Sequence, residues 1–250
     1  MTLIELITTG YAVPCSVLSD WIAKTADRFN TAFIEQNRYI QYFKGLGVTL
    51  EVALFAGIIG IVIGTIMALF KLSTTEDGKP TIWNYIASIY IDVIRGTPSV
   101  LQLMIMYFVI MASVDNQILV ASLSFGINSG AYVAEIVRGG ILAVDKGQME
   151  AGRSLGLSKA ATMWHIILPQ ATKNVIPPLG NEFITLIKET AIVGYVALSD
   201  LTRIANQIAS KTYDAFMPLI GAAVIYFVII KILTILLGNL ERRMRRSDNR

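Results

Sequence analysis

The stretch GVTLEVALFAGIIGIVIGTIMALF, Gly47–Phe70, carries a single charge, Glu51. A bilayer core about 30 Å thick needs roughly 20 apolar residues in helix, and this stretch supplies them. Ala56, Gly60, Gly64 and Ala68 recur every four residues and share one helical face. Lipid gives helices no hydrophobic reason to associate, so a face of small side chains marks where another helix packs closely. That packing is expected inside the chain rather than between two copies. Glu51 falls near the outer end of the span, where hydration can accommodate it; use in a pathway is the second reading.

The whole chain has the same character. Of its 250 residues, 54% are apolar and 16% charged, and the mean hydropathy is +0.59. Soluble domains carry roughly 25% charged residues, so this chain cannot cover a soluble surface. It is also far too apolar for disorder. Cys15 is the only cysteine and His165 the only histidine, which excludes a disulfide framework, a Cys cage and a His-rich metal site. The net charge of +3 is too small to indicate nucleic acid.

Working outward, Met1–Ile7 is apolar but short, contains Glu5 and has no basic residue before it, so it does not read as a cleavable signal peptide. Tyr11-Ala12-Val13-Pro14 before Cys15 is a poor lipoprotein site. From Asp20 to Lys44 the pattern predicts an amphipathic helix, with a break allowed. Trp21, Thr25, Phe29 and Phe33 recur at four-residue spacing, and Tyr39, Tyr42 and Phe43 follow. Such rings favour the headgroup zone, so residues 1–45 are expected on the extracytoplasmic membrane surface.

Lys71–Pro80 is a polar turn with Asp77-Gly78 and Pro80 as breakers. Ile82–Ile94 is too short to span. A break at Gly96–Pro98 follows, then a span over 98–114 that contains Gln102. A third span is expected at 117–136, interrupted by Asn128-Ser129-Gly130. A fourth covers 175–198, opening at Pro177-Pro178, and a fifth covers 215–238. The fold class expected is therefore all-α, a polytopic membrane bundle of about five helices.

Arg138, Lys146, Arg153, Lys159 and Lys173 fall in one loop, and Arg242, Arg243, Arg245, Arg246 and Arg250 in the tail. Basic segments stay in the cytoplasm, so both segments, the C-terminus and the 71–80 turn are expected there. Lys24, Arg28, Arg38 and Lys44 in the outer N-terminal region run against the rule.

Charges in a span cost about 2.5–3.5 kcal/mol each on insertion scales and usually face a pathway or a partner. Lys188 and Glu189 lie in the fourth span, and Glu182, Thr185 and Glu189 share a face. That face suits a small polar solute; an ion pair of Lys188 with Glu182 or Glu189 is the structural alternative. Asn128 either exposes carbonyls at a helix break or bonds across helices.

The loop 138–173 is the most informative segment. Asp145 with Gln148 resembles a capping box, so a helix is expected over Gln148–Leu155, stopped by Gly156. Ser158 caps a second helix, Lys159–Leu168, ending before Pro169, with Ala160, Met163, Trp164 and Ile167 as its apolar stripe. A compact helix–turn–helix on the cytoplasmic face reads as a docking element for a cytosolic partner, or as a simple cap. DNA binding is disfavoured by its few scattered basic residues.

Glu150-Ala151-Gly152, Gly156, and Ile166 ahead of Leu168-Pro169 resemble the EAA loop of ATP-binding-cassette importer permeases. The family pattern is E-A-A, then G four residues on, then I-x-L-P; here Gly152 stands for the second alanine. Arg95-Gly96-Thr97-Pro98 with Gln102, Tyr132–Gly140, Lys146-Gly147-Gln148, Asn181-Glu182-Phe183 and Lys188-Glu189-Thr190 are similar to the polar amino acid subfamily. The resemblance covers about residues 45–240.

It implies a permease domain over 46–240 with a basic cytoplasmic tail, 241–250, in a prokaryotic inner membrane. The chain itself would not be an enzyme and would bind no cofactor. Two cytosolic ATPase subunits would hold ATP and Mg. A second identical or homologous permease chain and an extracytoplasmic amino acid-binding protein would complete the importer. Glu150, Ala151, Gly152, Ser154, Leu155, Gly156 and Leu157 would couple to the ATPase. Ser99, Gln102, Asn128, Glu182, Lys188, Glu189 and Thr190 would line the substrate path. One rival is an ATP-independent secondary transporter or channel, but the internal repeat usual there is not found. The other is a membrane scaffold, which leaves the charges of the fourth span without a role.

Overall fold

In the computed structural model of the protein the described residues are 15–75 and 78–246, with side chains described over 18–75 and 78–244. The expectations for Met1–Pro14, Asp77 and Arg250 lie outside them. The first helix, α1, covers Cys15–Phe29. A π turn, Asn30–Ile34, and a 3-10 turn, Glu35–Asn37, connect it to α2, Arg38–Lys71. Then follow α3, Ile82–Arg95, and α4, Ser99–Ile105, extended by a π turn to Ile110. The long α5 is Gln117–Leu142 and the short α6 is Lys146–Ser154. Next, α7, Lys159–Thr162, passes through a π turn, Met163–Ile167, into α8, Leu168–Glu189. A 3-10 segment, Thr190–Val196, leads to α9, Leu201–Thr212, and α10, Phe216–Arg246.

Three described helical runs are long and apolar enough to cross a membrane: Leu18–Lys71, Gln117–Leu142 and Phe216–Met244. The pair α3 and α4 meets the same standard only together, bent by 103°. Helix α8 is not among them, because Asn181, Glu182, Lys188 and Glu189 dilute its apolar character.

The small-residue face of α2 meets α5. Ala56, Gly60, Gly64 and Ala68 are all buried. A Cβ on Gly64 would stand 2.5 Å from Val133 Cβ and 2.7 Å from the Gly130 carbonyl oxygen, so the two backbones approach as closely as glycine permits. Gly126 opposes Ile59 while Gly64 opposes Val133, so the numbers rise together and α2 and α5 run parallel. Parallel neighbours need a return crossing between them, which the bent α3–α4 pair supplies. Gly140 packs on Val175 and Ser129 bonds Glu182, so α8 runs back along α5. Gly180 packs on Leu237, and Lys173 shares a cleft with Glu241, so α10 opposes α8 in turn. One end of the bundle thus gathers the 72–81 turn, the α6–α7 loop and the end of α10.

Several expectations need correction. The span expected over Gly47–Phe70 lies within a longer helix that starts at Arg38. Its extra turns are held by Tyr42, which stacks on Phe33 at 5.1 Å between ring centroids, and by buried Arg38, which donates to the Thr31 carbonyl. The break allowed in the amphipathic segment falls at Gln36 and Asn37, both left-handed at φ 53°. Asn128-Ser129-Gly130 does not interrupt α5; Gly130 is there for close packing under Tyr90 and Ile63. Pro169 does not end the second loop helix, which runs on through Pro177 and Pro178 to Glu189. The π turn before Pro169 carries the extra residue that lets the helix pass a ring lacking an N–H. It also rotates the stripe: Ile167 is buried, but Trp164 is 70% exposed and Ala160 is exposed.

Candidate functional site

Polar side chains converge at mid-depth, where Pro98 breaks the α3–α4 pair. A proline has no N–H, so the carbonyl of Ile94, four residues back, loses its helical partner. Gln102 replaces it. Its Nε2 donates to the Ile94 oxygen at 2.8 Å, to the Thr97 oxygen at 3.1 Å and to Thr97 Oγ1 at 2.7 Å. Gln102 Oε1 then accepts from Asn128 Nδ2 at 2.9 Å, tying the break to α5. The structure thus selects the cross-helix reading of Asn128. One residue on, Ser129 Oγ donates to Glu182 Oε1 at 2.8 Å, tying α5 to α8.

Ser129 and Glu182 are the polar pair of a cleft of about 360 Å³ walled by Leu54, Ile58, Phe183 and Leu237 from α2, α8 and α10. A carboxylate accepting one hydroxyl in an apolar cleft keeps lone pairs for a donor. Of the other expected residues, Thr190 is buried and donates to the Ile187 oxygen at 2.8 Å, closing the end of α8. Ser99 opens α4 half-buried, and Pro98 at the cap position supplies no side-chain bond. Glu189 is half-buried and Lys188 exposed. Among the described residues no ion pair joins Lys188 to Glu182 or Glu189.

Two features were missed in the sequence. Ser129 was read only as part of a helix break. Asp200, fully buried, caps α9 by accepting from the Thr202 amide at 3.0 Å and the Arg203 amide at 2.9 Å, and Tyr226 donates to it at 3.4 Å. Burial pushes its carboxyl above the ordinary range, and the Arg203 and Thr202 amides draw it partly back. An Asp before an apolar periodic run is a capping signal; its burial is not visible in sequence.

The α6 loop is closed by its own hydrogen bonds and packing. Asp145 Oδ1 accepts from the Gly147 amide at 2.6 Å. Gln148 makes no capping box, because its Oε1 accepts from Gln170 instead. The Leu157 amide bonds the Gly152 oxygen at 3.1 Å and the Gly156 amide bonds the Arg153 oxygen at 3.0 Å. With Gly156 at φ +87° this is a Schellman close, which needs the left-handed backbone that glycine adopts freely. Gly152 is buried, and a Cβ there would meet Thr162 Cγ2 at 2.5 Å. Val144, Ile167 and Ala171, with Met149 and Met163, seat the loop on the bundle. Glu150, Ala151, Ser154, Leu155 and Gly156 face outward and Leu157 is half-buried. Leu155 is 83% exposed and Trp164 70% exposed, apolar surface that a partner would cover.

A membrane bundle with a bent, polar-locked helix pair and a closed, apolar-tipped loop at one end is the architecture of a transporter's transmembrane domain. The model of the family described as binding-protein-dependent transport system inner membrane component matches residues 60–246. The arginine transport system permease protein ArtQ of Bacillus subtilis is 43% identical over 82% of this chain and 93% of its own. The glutamine transport system permease protein GlnP of Escherichia coli K12 is 39% identical over 78% of this chain and 90% of its own. The crystal structure of an amino acid ABC transporter with histidines superimposes with a TM-score of 0.75 at 43% identity, over 82% of this chain and 94% of that one. An inward-facing MetNI methionine ABC transporter shares the fold at a TM-score of 0.71 and 18% identity, over 84% of this chain and 99% of that one. The chain belongs to the family of binding-protein-dependent transport system inner membrane components.

Proposed function

We propose that this chain is the permease of an ABC importer for a polar or charged amino acid, driven by separate ATPase subunits. Family membership and relatives named for arginine and glutamine support it. The observation that carries the coupling role is the closed loop that turns Leu155 and Glu150 outward at the end shared with Lys71 and Lys79. That end is cytoplasmic, as its basic residues require. The end of α10 lies there too, and the described residues 15–45 lie on the outer surface. The permease domain covers 46–240, and α8 is the fourth of five crossings, its polar face shielded by α5 and α10.

Two ATPases, holding ATP and Mg, dock on this loop and on that of a second permease chain. A binding protein delivers the amino acid outside. Glu150, Ala151, Ser154 and Leu155 make the contact, Gly152 and Gly156 give the loop its shape, and Leu157 anchors it. Loop contacts that differ between two bundle states bias the bundle between them. Glu182, presented by Ser129, meets the amino acid at mid-depth, with Glu189 and Lys188 two turns along α8. Ser99, Gln102, Asn128 and Thr190 shape that path. The test is amino acid uptake into vesicles holding the co-purified complex, with and without internal ATP. Uptake independent of ATP would return the chain to the secondary transporters.

A further inference from the structure

A second cleft, of about 350 Å³, lies between α2 and the start of α5, lined by Glu51, Asn116 and Ser122 with Phe55, Ile59 and Leu119. Ser122 and Ser129 are seven residues apart on α5, so this cleft sits about 10 Å, two turns, nearer the end opposite the α6 loop. Glu51 forms none of the ion pairs among the described residues. Ser122 is 2% exposed and its Oγ has no hydrogen-bond partner among them. A buried hydroxyl left unmet costs about 1–3 kcal/mol, and Glu51, exposed at the cleft, has its carboxylate open to a cation. Asn116 spends its Oδ1 on the Leu119 amide at 3.0 Å in capping α5.

We propose that this cleft is an outer binding site for the cationic head, alkylammonium or guanidinium, of a basic amino acid. The inference rests on the importer reading and narrows its substrate class. A guanidinium offers donors in a planar fork that matches the Glu51 carboxylate. A further N–H reaches the Ser122 oxygen, and the Phe55 ring supplies an apolar wall with an electron-rich face. Ile59 and Leu119 cover the aliphatic stem. The recess favours a slender free ligand over a partner protein's side chain, because Ser122, the further acceptor in its lining, is only 2% exposed.

The test uses the permease–ATPase complex in nanodiscs, with methylguanidinium as probe, read by calorimetry and by saturation-transfer NMR. Glu51→Gln is expected to weaken methylguanidinium about tenfold and to raise the arginine KM about tenfold relative to the glutamine KM in ATP-driven uptake. Ser122→Ala removes an unmet hydroxyl, so folding survives, and methylguanidinium is expected to weaken severalfold. Equal probe affinity in the wild type and both variants overturns the site. So does an unchanged probe affinity together with lost capture of the binding protein by Glu51→Gln, which makes the cleft a protein contact. ATP-independent uptake refutes the importer reading separately, because probe binding needs no transport.

Discussion

Gly152→Ala tests whether the loop's shape depends on one close contact. On an open helix, alanine for glycine gains about 1 kcal/mol. Here the added methyl would stand 2.5 Å from Thr162 Cγ2, 2.8 Å from Thr162 Oγ1 and 3.2 Å from Ile166 Cδ1. Overpacking of this kind costs about 1–3 kcal/mol, so the net effect is a loss of up to about 2 kcal/mol. Thr162 cannot yield easily: it is fully buried, and its hydroxyl donates to the Ser158 oxygen at 3.0 Å. Thr162→Ala alone loses that bond, about 1 kcal/mol. The double variant moves a methyl across the interface and removes the clash, so the pair should be coupled by about 1–3 kcal/mol. Amide exchange over residues 146–162 in the complex reads the loop's stability, and ATP-driven uptake reads its coupling. Gly152→Ala should quicken exchange by as much as about thirtyfold and lower uptake, and the double variant should regain most of both. If the single variant exchanges and transports like wild type, or the two losses simply add, the close-contact argument fails. The same contact accounts for the glycine here where the family pattern has alanine.

Four further outcomes follow from the geometry. Gly156→Pro demands φ near −65° at a residue held at +87°; the chain should insert but fail to co-purify with its ATPase, and normal uptake would defeat this. Gly64→Val should lower the melting temperature through about 1–3 kcal/mol of overpacking against Val133, while Gly139→Ala, with nothing within 4 Å of its Cβ, should not. Gln102→Ala leaves the Ile94 carbonyl unmet at about 1–3 kcal/mol, so exchange at residues 94–102 should quicken; unchanged exchange would mean water already serves that carbonyl. Glu189→Gln should alter uptake kinetics with assembly intact, and wild-type kinetics would make Glu189 structural.

Much of the fold was legible because its signals were local. The four-residue recurrence of Ala56, Gly60, Gly64 and Ala68 announces close packing, and the structure supplies α5 as the partner. Asp145, Gly156 and Ser158 punctuate the loop where their chemistry says. What misled were residues whose local meaning is overridden. Pro169 reads as a stop and Pro177-Pro178 as the opening of a new span, yet a π turn upstream and packing along α5 carry one helix through all three. Asn128-Ser129-Gly130 read as a break because its bonds go to Gln102 and Glu182, 26 and 53 residues away. No spacing rule reveals partners that distant. The sealed hydroxyl of Ser122 was equally silent, since a serine on an apolar face looks like any small residue.

The parallel course of α2 and α5 has a consequence in biogenesis. The small face of α2 leaves the ribosome before its partner exists. Roughly sixty residues separate Ala68 from the matching stretch of α5, which is about 3–12 s of synthesis. During that interval the α3–α4 pair must enter the bilayer without Asn128 to hold Gln102. Its bend therefore has to be closed first by Gln102 alone, through Ile94 and Thr97, all of which emerge in the same stretch of chain. The lock at Pro98 is self-contained, so insertion can proceed in the order in which the chain is made.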